Sequence, residues 1–129
     1  MISIKRFAFS LTILVLTGCI ALEPISPIMV TETLPQICQA AKSNQVRANS
    51  TYVGMGLTIV GEVRTINEGF KPRYRVLLKA GQVSIHAGTD NESSVTALTI
   101  GNTARASGVI TDVSNDYNGC SISLKDSTF

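Results

Sequence analysis

Residues 60–66 (VGEVRTI) and 107–113 (SGVITDV) decide the fold, because the two segments align with each other on an internal glycine. The glycines are Gly61 and Gly108, and both segments otherwise mix β-branched and polar residues, as strands do. A glycine inside a strand marks a bulge or a tight bend, which allows a small barrel to turn its corners. The alignment therefore predicts a barrel in which two of the strands are kinked at equivalent positions.

The segments around this pair complete a set of five predicted strands. The predicted strands are residues 57–66, 73–79, 82–86, 103–113 and 120–125. In the third, Val83 and Ile85 alternate with polar residues, which indicates one buried and one exposed face. Residues 88–95 (GTDNESSV) are predicted to form a polar loop. The fold class is mainly β, a small five-stranded OB-type barrel, although a small antiparallel sandwich fits the same composition.

A helix is predicted before the first strand, over residues 34–49. Thr33 can serve as its N-cap and Pro35 is tolerated in its first turn. Apolar or small residues recur at helical spacing, and polar residues occupy the opposite side. We expect the apolar face to dock onto the barrel, so that residues 34–129 form one helix-plus-barrel domain.

The N-terminus has the layout of an export signal. Lys5 and Arg6 precede an apolar run at residues 7–16, and small residues then lead to Cys19. Residues 16–19 (LTGC) resemble the lipobox of bacterial lipoproteins, which implies removal of residues 1–18 and lipidation of Cys19. The alternative is an uncleaved anchor helix, but the apolar stretch is shorter than the roughly 20 residues that span a bilayer.

Composition limits what the exported chain can do. The whole chain has 11 Lys+Arg and 9 Asp+Glu, and two of the cations, Lys5 and Arg6, lie in the predicted signal. The mature chain is therefore formally neutral and lacks the global cationic surplus on which nucleic-acid binding depends. Residues 19–33, with two prolines and no period, are predicted to be a tether behind the lipidated cysteine. Because Ile20 rather than Asp follows Cys19, we expect the protein to be anchored at the periplasmic face of the outer membrane.

Lipidation of Cys19 leaves one pair of cysteines. In an exported protein Cys38 and Cys120 are predicted to form a disulfide, with two buried free thiols as the alternative. A catalytic thiol lacks a base other than His86, which is the one histidine of the chain. We therefore expect no enzyme activity, no cofactor and no metal site.

Most of the mature chain resembles the bacterial "tRNA_anti-like" OB-fold family of exported proteins and lipoproteins. The features that carry the resemblance are Asn44, Ala48, Tyr52, and residues 57–63 (LTIVGEV), 98–101 (LTIG), 106–110 (ASGVI) and 122–126 (ISLKD). The resemblance implies an OB fold. The family name refers to the fold of an anticodon-binding domain, and no catalytic residues come with it.

The first hairpin is the candidate binding surface. Residues 70–75 (FKPRYR) contain three cations and two aromatic residues. If Val76 and Leu78 face the core, Arg73 and Arg75 face outward by the two-residue period of a strand. An ordinary solvated face with edge-strand charges explains the same residues. The candidate ligand-binding residues are Phe70, Lys71, Arg73, Tyr74, Arg75, Arg64 and His86.

These observations favour a lipid-anchored periplasmic binding or adaptor module. Its partners are predicted to be the membrane, through the lipid, and an envelope protein or the cell wall. Nucleic acid is disfavoured by the neutral mature chain. Two alternatives remain: an accessory lipoprotein of an envelope secretion or conjugation system or an entry-exclusion factor, and, less well supported, an enzyme inhibitor.

Overall fold

The computed structural model describes residues 26–129, and the predicted signal peptide and Cys19 lie outside this range. Five strands form a closed barrel in the order β1-β2-β3-β5-β4. All neighbouring strands are antiparallel except β3 and β5, which are parallel. This is the strand order of an OB fold, so the predicted fold class is confirmed and the sandwich is excluded. The strands are β1 (Gly56–Glu68), β2 (Tyr74–Ala80), β3 (Val83–Thr89), β4 (Thr103–Asp116) and β5 (Gly119–Thr128).

The core lies inside the barrel and follows the alternation of the strands. On β2 the buried side chains are Tyr74, Val76 and Leu78, and the residues between them face outward. Val83 and Ile85 are buried on β3, as their alternation with polar residues predicts. Successive side chains of a strand point to opposite faces, so the outward residues of neighbouring strands meet in rows on the barrel surface.

The two aligned glycines serve the barrel in different ways. Gly108 lies at a register shift between β4 and β5, as predicted for a bulge. A Cβ atom on Gly61 would lie 2.9 Å from the Lys79 carbonyl oxygen, so glycine is needed for close approach to β2. The shift between β1 and β2 lies later, around Arg64. The prediction of a kink is correct in both strands, but Gly61 itself is not the bulged residue.

The predicted single helix is in fact two helices. These are α1 (Leu34–Ser43) and α2 (Gln45–Tyr52), separated by the extended Asn44. The Asn44 side chain accepts a hydrogen bond from the Arg47 backbone N–H at 3.0 Å. This local bond offers the backbone an alternative to a continuous helix, as Asn commonly does. The start of α1 is as predicted, with the Thr33 N–H donating to the Gln36 side chain at 2.8 Å.

The predicted polar loop at residues 88–95 contains secondary structure. β3 continues to Thr89, and a short helix, α3 (Glu92–Thr96), follows it. Asn91 begins α3 by accepting a hydrogen bond from the Ser93 backbone N–H at 3.1 Å. The prediction of a loop was wrong because pairing with β2 extends β3 through Gly88, which has little intrinsic strand preference, to Thr89.

Covalent and polar links hold α1 and α2 against the barrel. Cys38 and Cys120 form the predicted disulfide, with their Cα atoms 5.8 Å apart. The Asn115 side chain donates to the Cys38 carbonyl at 2.8 Å, and the Asn49 side chain accepts from the Val113 N–H at 2.8 Å. These links join both helices to β4 and β5.

The tether also contacts the barrel. Met29 pairs with Gly56 as an isolated parallel bridge at the start of β1. Within residues 26–129, no helix is long and apolar enough to cross a membrane.

Candidate functional site: a groove on the outer face of the barrel

A groove of about 880 Å³ runs across the outward faces of β1, β2, β3 and β5. Its floor is a row of cross-strand neighbours, in which Thr65 lies opposite Leu77 and Leu77 opposite His86. The parallel pairing of β3 and β5 extends this row from His86 to Ser123. A half-buried leucine is therefore surrounded by polar side chains, and the surface can contact both apolar and polar groups of a ligand.

The loop between β1 and β2 forms one wall of the groove. It folds over β3 so closely that a Cβ atom on Gly88 would lie 2.6 Å from Pro72 Cγ. The Asp90 side chain accepts from the Arg73 backbone N–H at 2.9 Å. The Gly69 N–H donates to the Arg73 carbonyl at 2.7 Å. These bonds fix the base of the wall, so the groove is shaped before any ligand arrives.

The groove carries more positive than negative side chains. Three cations line it, Lys71, Arg75 and Lys125, against the carboxylates Asp90 and Asp126. Among the residues that the structure describes, no ion pair involves these three cations. The Arg75 guanidinium donates only to the Lys71 carbonyl, at 3.3 Å. The side chains therefore keep most of their hydrogen-bonding capacity for an anionic group.

The structure brings together three of the seven predicted ligand-binding residues. Lys71, Arg75 and His86 line the groove. Phe70 is fully exposed on the loop beside it. Arg64 lies on the β1 bulge outside the groove, with its Nε 3.6 Å from Glu62 Oε1.

Arg73 and Tyr74 do not belong to the groove surface. Arg73 Nε lies 3.8 Å from Glu68 Oε1, and its guanidinium lies 5.2 Å from the centre of the Tyr74 ring. Tyr74 points into the barrel and is only 8% exposed, so it cannot stack on a ligand. Burial raises the pKa of its hydroxyl, an effect that Arg73 opposes and that Glu92 and Glu68 reinforce. Strand alternation places Tyr74 inward between two outward arginines, so it belongs to the core and not to the groove lining.

Sequence reasoning missed the side of the groove formed by β5. Ser121, Ser123 and Lys125 line it, although they are 46 residues or more from Arg75 in the chain. The signal was the alternation in residues 120–125, which places these three residues on one face. Only the parallel pairing of β3 with β5 brings that face beside His86.

The structure offers no arrangement of metal ligands in its described part. Within residues 26–129, no group of three or more His, Cys, Asp or Glu side chains could hold an ion. His86 stands in the groove beside hydroxyl and aliphatic neighbours, Ser123 and Leu77. The site is suited to hydrogen bonding and charge pairing.

In comparisons with known proteins, the chain is similar in fold to a solved structure. No protein-family model matches the chain, so the tRNA_anti-like assignment stays a prediction. No curated protein matches it by sequence. A crystal structure from Klebsiella pneumoniae subsp. pneumoniae, described as a "putative nucleic acid-binding lipoprotein", superposes with a TM-score of 0.57 at 22% sequence identity. The match covers 78% of this chain and 90% of that one. At this identity the likeness supports the barrel fold.

Proposed function

We propose that the protein is a lipid-anchored periplasmic binding module, without catalytic activity, that captures an envelope partner in the groove. The observation that carries the proposal is the groove itself, where cations that form no ion pair within residues 26–129 accompany a partly apolar floor on a closed barrel. A rigid scaffold with a preformed groove loses little conformational entropy on binding.

The lining favours a partner with an anionic group beside an apolar one. Lys71 lies in the loop between β1 and β2 and Arg75 lies on β2, whereas Lys125 lies on β5. Charge-assisted hydrogen bonds to a carboxylate or phosphate would fix orientation, while Leu77 would contact an aliphatic part. An acidic peptide segment of an envelope protein combines both features. Such a segment would also suit an adaptor that recruits a larger assembly to the membrane.

The compartment is supported by the N-terminal sequence and by the disulfide. Residues 16–19 resemble a lipobox, and Ile20 after Cys19 is compatible with sorting to the outer membrane. A disulfide such as Cys38–Cys120 persists in the oxidising periplasm. The lipoprotein description of the structural neighbour is compatible with the same localisation.

Photo-crosslinking in living cells tests the groove. A photoreactive residue replaces Phe70, and a matched control replaces Tyr117, which is 96% exposed on the turn between β4 and β5. We expect one discrete protein adduct from position 70 and none from position 117. Equal capture at both positions, or none at either, would contradict the proposal.

Charge reversal then links the adduct to the groove. Arg75→Glu with Lys125→Glu should reduce the adduct at least about tenfold, because each lost charge pair is replaced by repulsion. A matched pair on the helices, Lys42→Glu with Arg47→Glu, should leave it unchanged. A single-stranded oligonucleotide serves as a competing probe, since the structural neighbour is described as a "putative nucleic acid-binding lipoprotein". If the oligonucleotide competes with the adduct, the ligand of the groove is nucleic acid and not an acidic peptide.

A further inference from the structure

The tether meets the barrel on a face that is separate from the groove. The Gly56 N–H donates to the Ile28 carbonyl at 2.8 Å, and the Val30 N–H donates to the Gly56 carbonyl at 2.9 Å. A Cβ atom on Gly56 would lie 2.5 Å from Met29 Sδ and 3.3 Å from Pro27 Cγ. The tether thus packs directly over the first residue of β1. The chain from the proposed lipid anchor therefore reaches the barrel at this point.

Exposed apolar side chains lie on the tether at the entry point and four residues further along β1. Ile28 is 78% exposed and Met29 is 47% exposed on the tether, and Val60 is 54% exposed on the outward face of β1. Apolar side chains exposed in one region commonly mark a contact surface. We call this region, together with the cations beside it, the tether face.

Two cations lie near Val60. Arg105 is the cross-strand neighbour of Val60 on β4, and Lys79 of β2 lies opposite Glu62, two residues beyond Val60. Throughout residues 26–129, no carboxylate lies within ion-pair distance of Lys79 or Arg105. Glu62 is paired instead with Arg64, at 3.6 Å. The tether face therefore combines apolar side chains with positive charges that lack an internal partner.

The length of the tether limits how far its entry point on the barrel can lie from the bilayer. Only residues 20–27 separate Cys19 from Ile28. At 3.3–3.6 Å per residue, a fully extended chain of this length spans about 30 Å. Because Ile28 is held on Gly56, this entry point cannot lie further than this from the proposed lipid anchor.

We propose that the tether face rests on the membrane surface, with Ile28, Met29 and Val60 at the headgroup boundary and Lys79 and Arg105 over anionic headgroups. Apolar side chains with flanking cations are the combination that binds anionic lipid surfaces. This contact rests on the proposed lipid anchor. It would fix the orientation of the barrel and leave the groove open to a partner in the periplasm.

Lipid crosslinking of the full lipidated protein tests this orientation. The protein is reconstituted in phosphatidylcholine vesicles with or without about 30% phosphatidylglycerol, enough for an anionic surface. A photoreactive residue replaces Val60, and a control replaces His86 on the groove floor. We expect about fivefold more lipid adduct at position 60 than at 86, since only the first position meets the interface. Equal adducts at the two positions would overturn the proposal.

Charge variants separate electrostatic contact from simple proximity. Lys79→Glu with Arg105→Glu should reduce the adduct at position 60 about threefold in vesicles with phosphatidylglycerol. Lys42→Glu with Arg47→Glu should leave it unchanged. The specific role of the tether face would be overturned if the Lys79/Arg105 variant left the adduct unchanged. It would also be overturned if the Lys42/Arg47 variant reduced the adduct equally.

A mass measurement distinguishes failure of the anchor from failure of the face. If Cys19 carries no acyl groups, the proposed anchor is wrong, and the unacylated chain is floated with the same vesicles. Flotation that depends on phosphatidylglycerol and is lost with Lys79→Glu and Arg105→Glu would support the face without the anchor. No flotation would overturn both.

Discussion

The helix-covered side of the barrel and the groove side use their polar groups in opposite ways. On the helix side, Asn49 and Asn115 bind backbone atoms of distant elements, and the disulfide joins α1 to β5. On the groove side, Lys71 and Lys125 make no ion pair within the described residues, and Phe70 is fully exposed. The comparison indicates that stability is concentrated on the first side and binding capacity on the second. Substitutions should therefore separate the two properties.

The largest loss of stability is expected from removing the disulfide. Cys38→Ala with Cys120→Ala releases a link between residues 82 apart in sequence. The free energy of unfolding should fall by about 4 kcal/mol in the chain-entropy model. Urea denaturation measures this change, and Arg75→Glu with Lys125→Glu on the groove side is the control. A fall of less than about 1 kcal/mol would show that the helix side does not depend on its covalent link.

Phe70 and Tyr74 allow the same comparison between stability and binding capacity within the groove side. Tyr74 is 8% exposed and Phe70 is fully exposed. Tyr74→Ala should lower the free energy of unfolding by about 3 kcal/mol, because it leaves a cavity in the barrel core. Phe70→Ala should change it by less than about 0.5 kcal/mol, as an exposed residue does. If both variants were equally stable, Tyr74 would not be part of the core.

Asn49→Ala tests the polar links of the helix side. The substitution leaves the N–H of Val113, a fully buried residue, without its side-chain acceptor. An unsatisfied buried donor costs about 1–3 kcal/mol, which thermal or urea unfolding can measure. Asn67→Ala, on the exposed end of β1, is the matched control and should change stability by less than about 0.5 kcal/mol. Equal effects would contradict a special role for Asn49.

The sequence predicted the barrel because apolar and polar residues alternate in the predicted strands. Val76, Leu78, Val83 and Ile85 are all buried. Of the two aligned glycines, Gly108 lies at a bulge and Gly61 permits the close approach of β2. The break at Asn44 was missed because helical spacing continues across it. The extended backbone of Asn44 ends α1, and its side chain caps α2 through the Arg47 N–H. Hydrophobic periodicity therefore predicts the buried face of an element more dependably than it predicts where the element ends.

The β5 side of the groove was outside the reach of local reasoning. Lys71, Arg75 and His86 lie in the first hairpin and its neighbour, where charge and alternation are visible in sequence. Ser123 and Lys125 join them only because β5 pairs with β3 in parallel, a contact between residues far apart in the chain. The inward direction of Tyr74 followed from the same alternation that predicts Arg73 and Arg75 to face outward.

The smallest expected effect concerns the pH dependence of stability on the helix side. Burial raises the pKa of the Tyr52 hydroxyl, and the nearby Glu32 carboxylate raises it further. The folded state therefore holds this proton more tightly than the unfolded state, whose tyrosine titrates near 10.0. This contribution to stability is complete below pH 10.0 and is lost as the pH rises through the folded-state pKa.

Tyr52→Phe removes the titrating group and keeps the ring, so stability should fall less steeply above that pH than in the unmodified protein. Unfolding by urea at a series of alkaline pH values measures the slope. Tyr117→Phe is the control, since Tyr117 is 96% exposed, and its profile should match that of the unmodified protein. A Tyr52→Phe profile that also matches would show that the tyrosine on the helix side does not control the alkaline loss of stability.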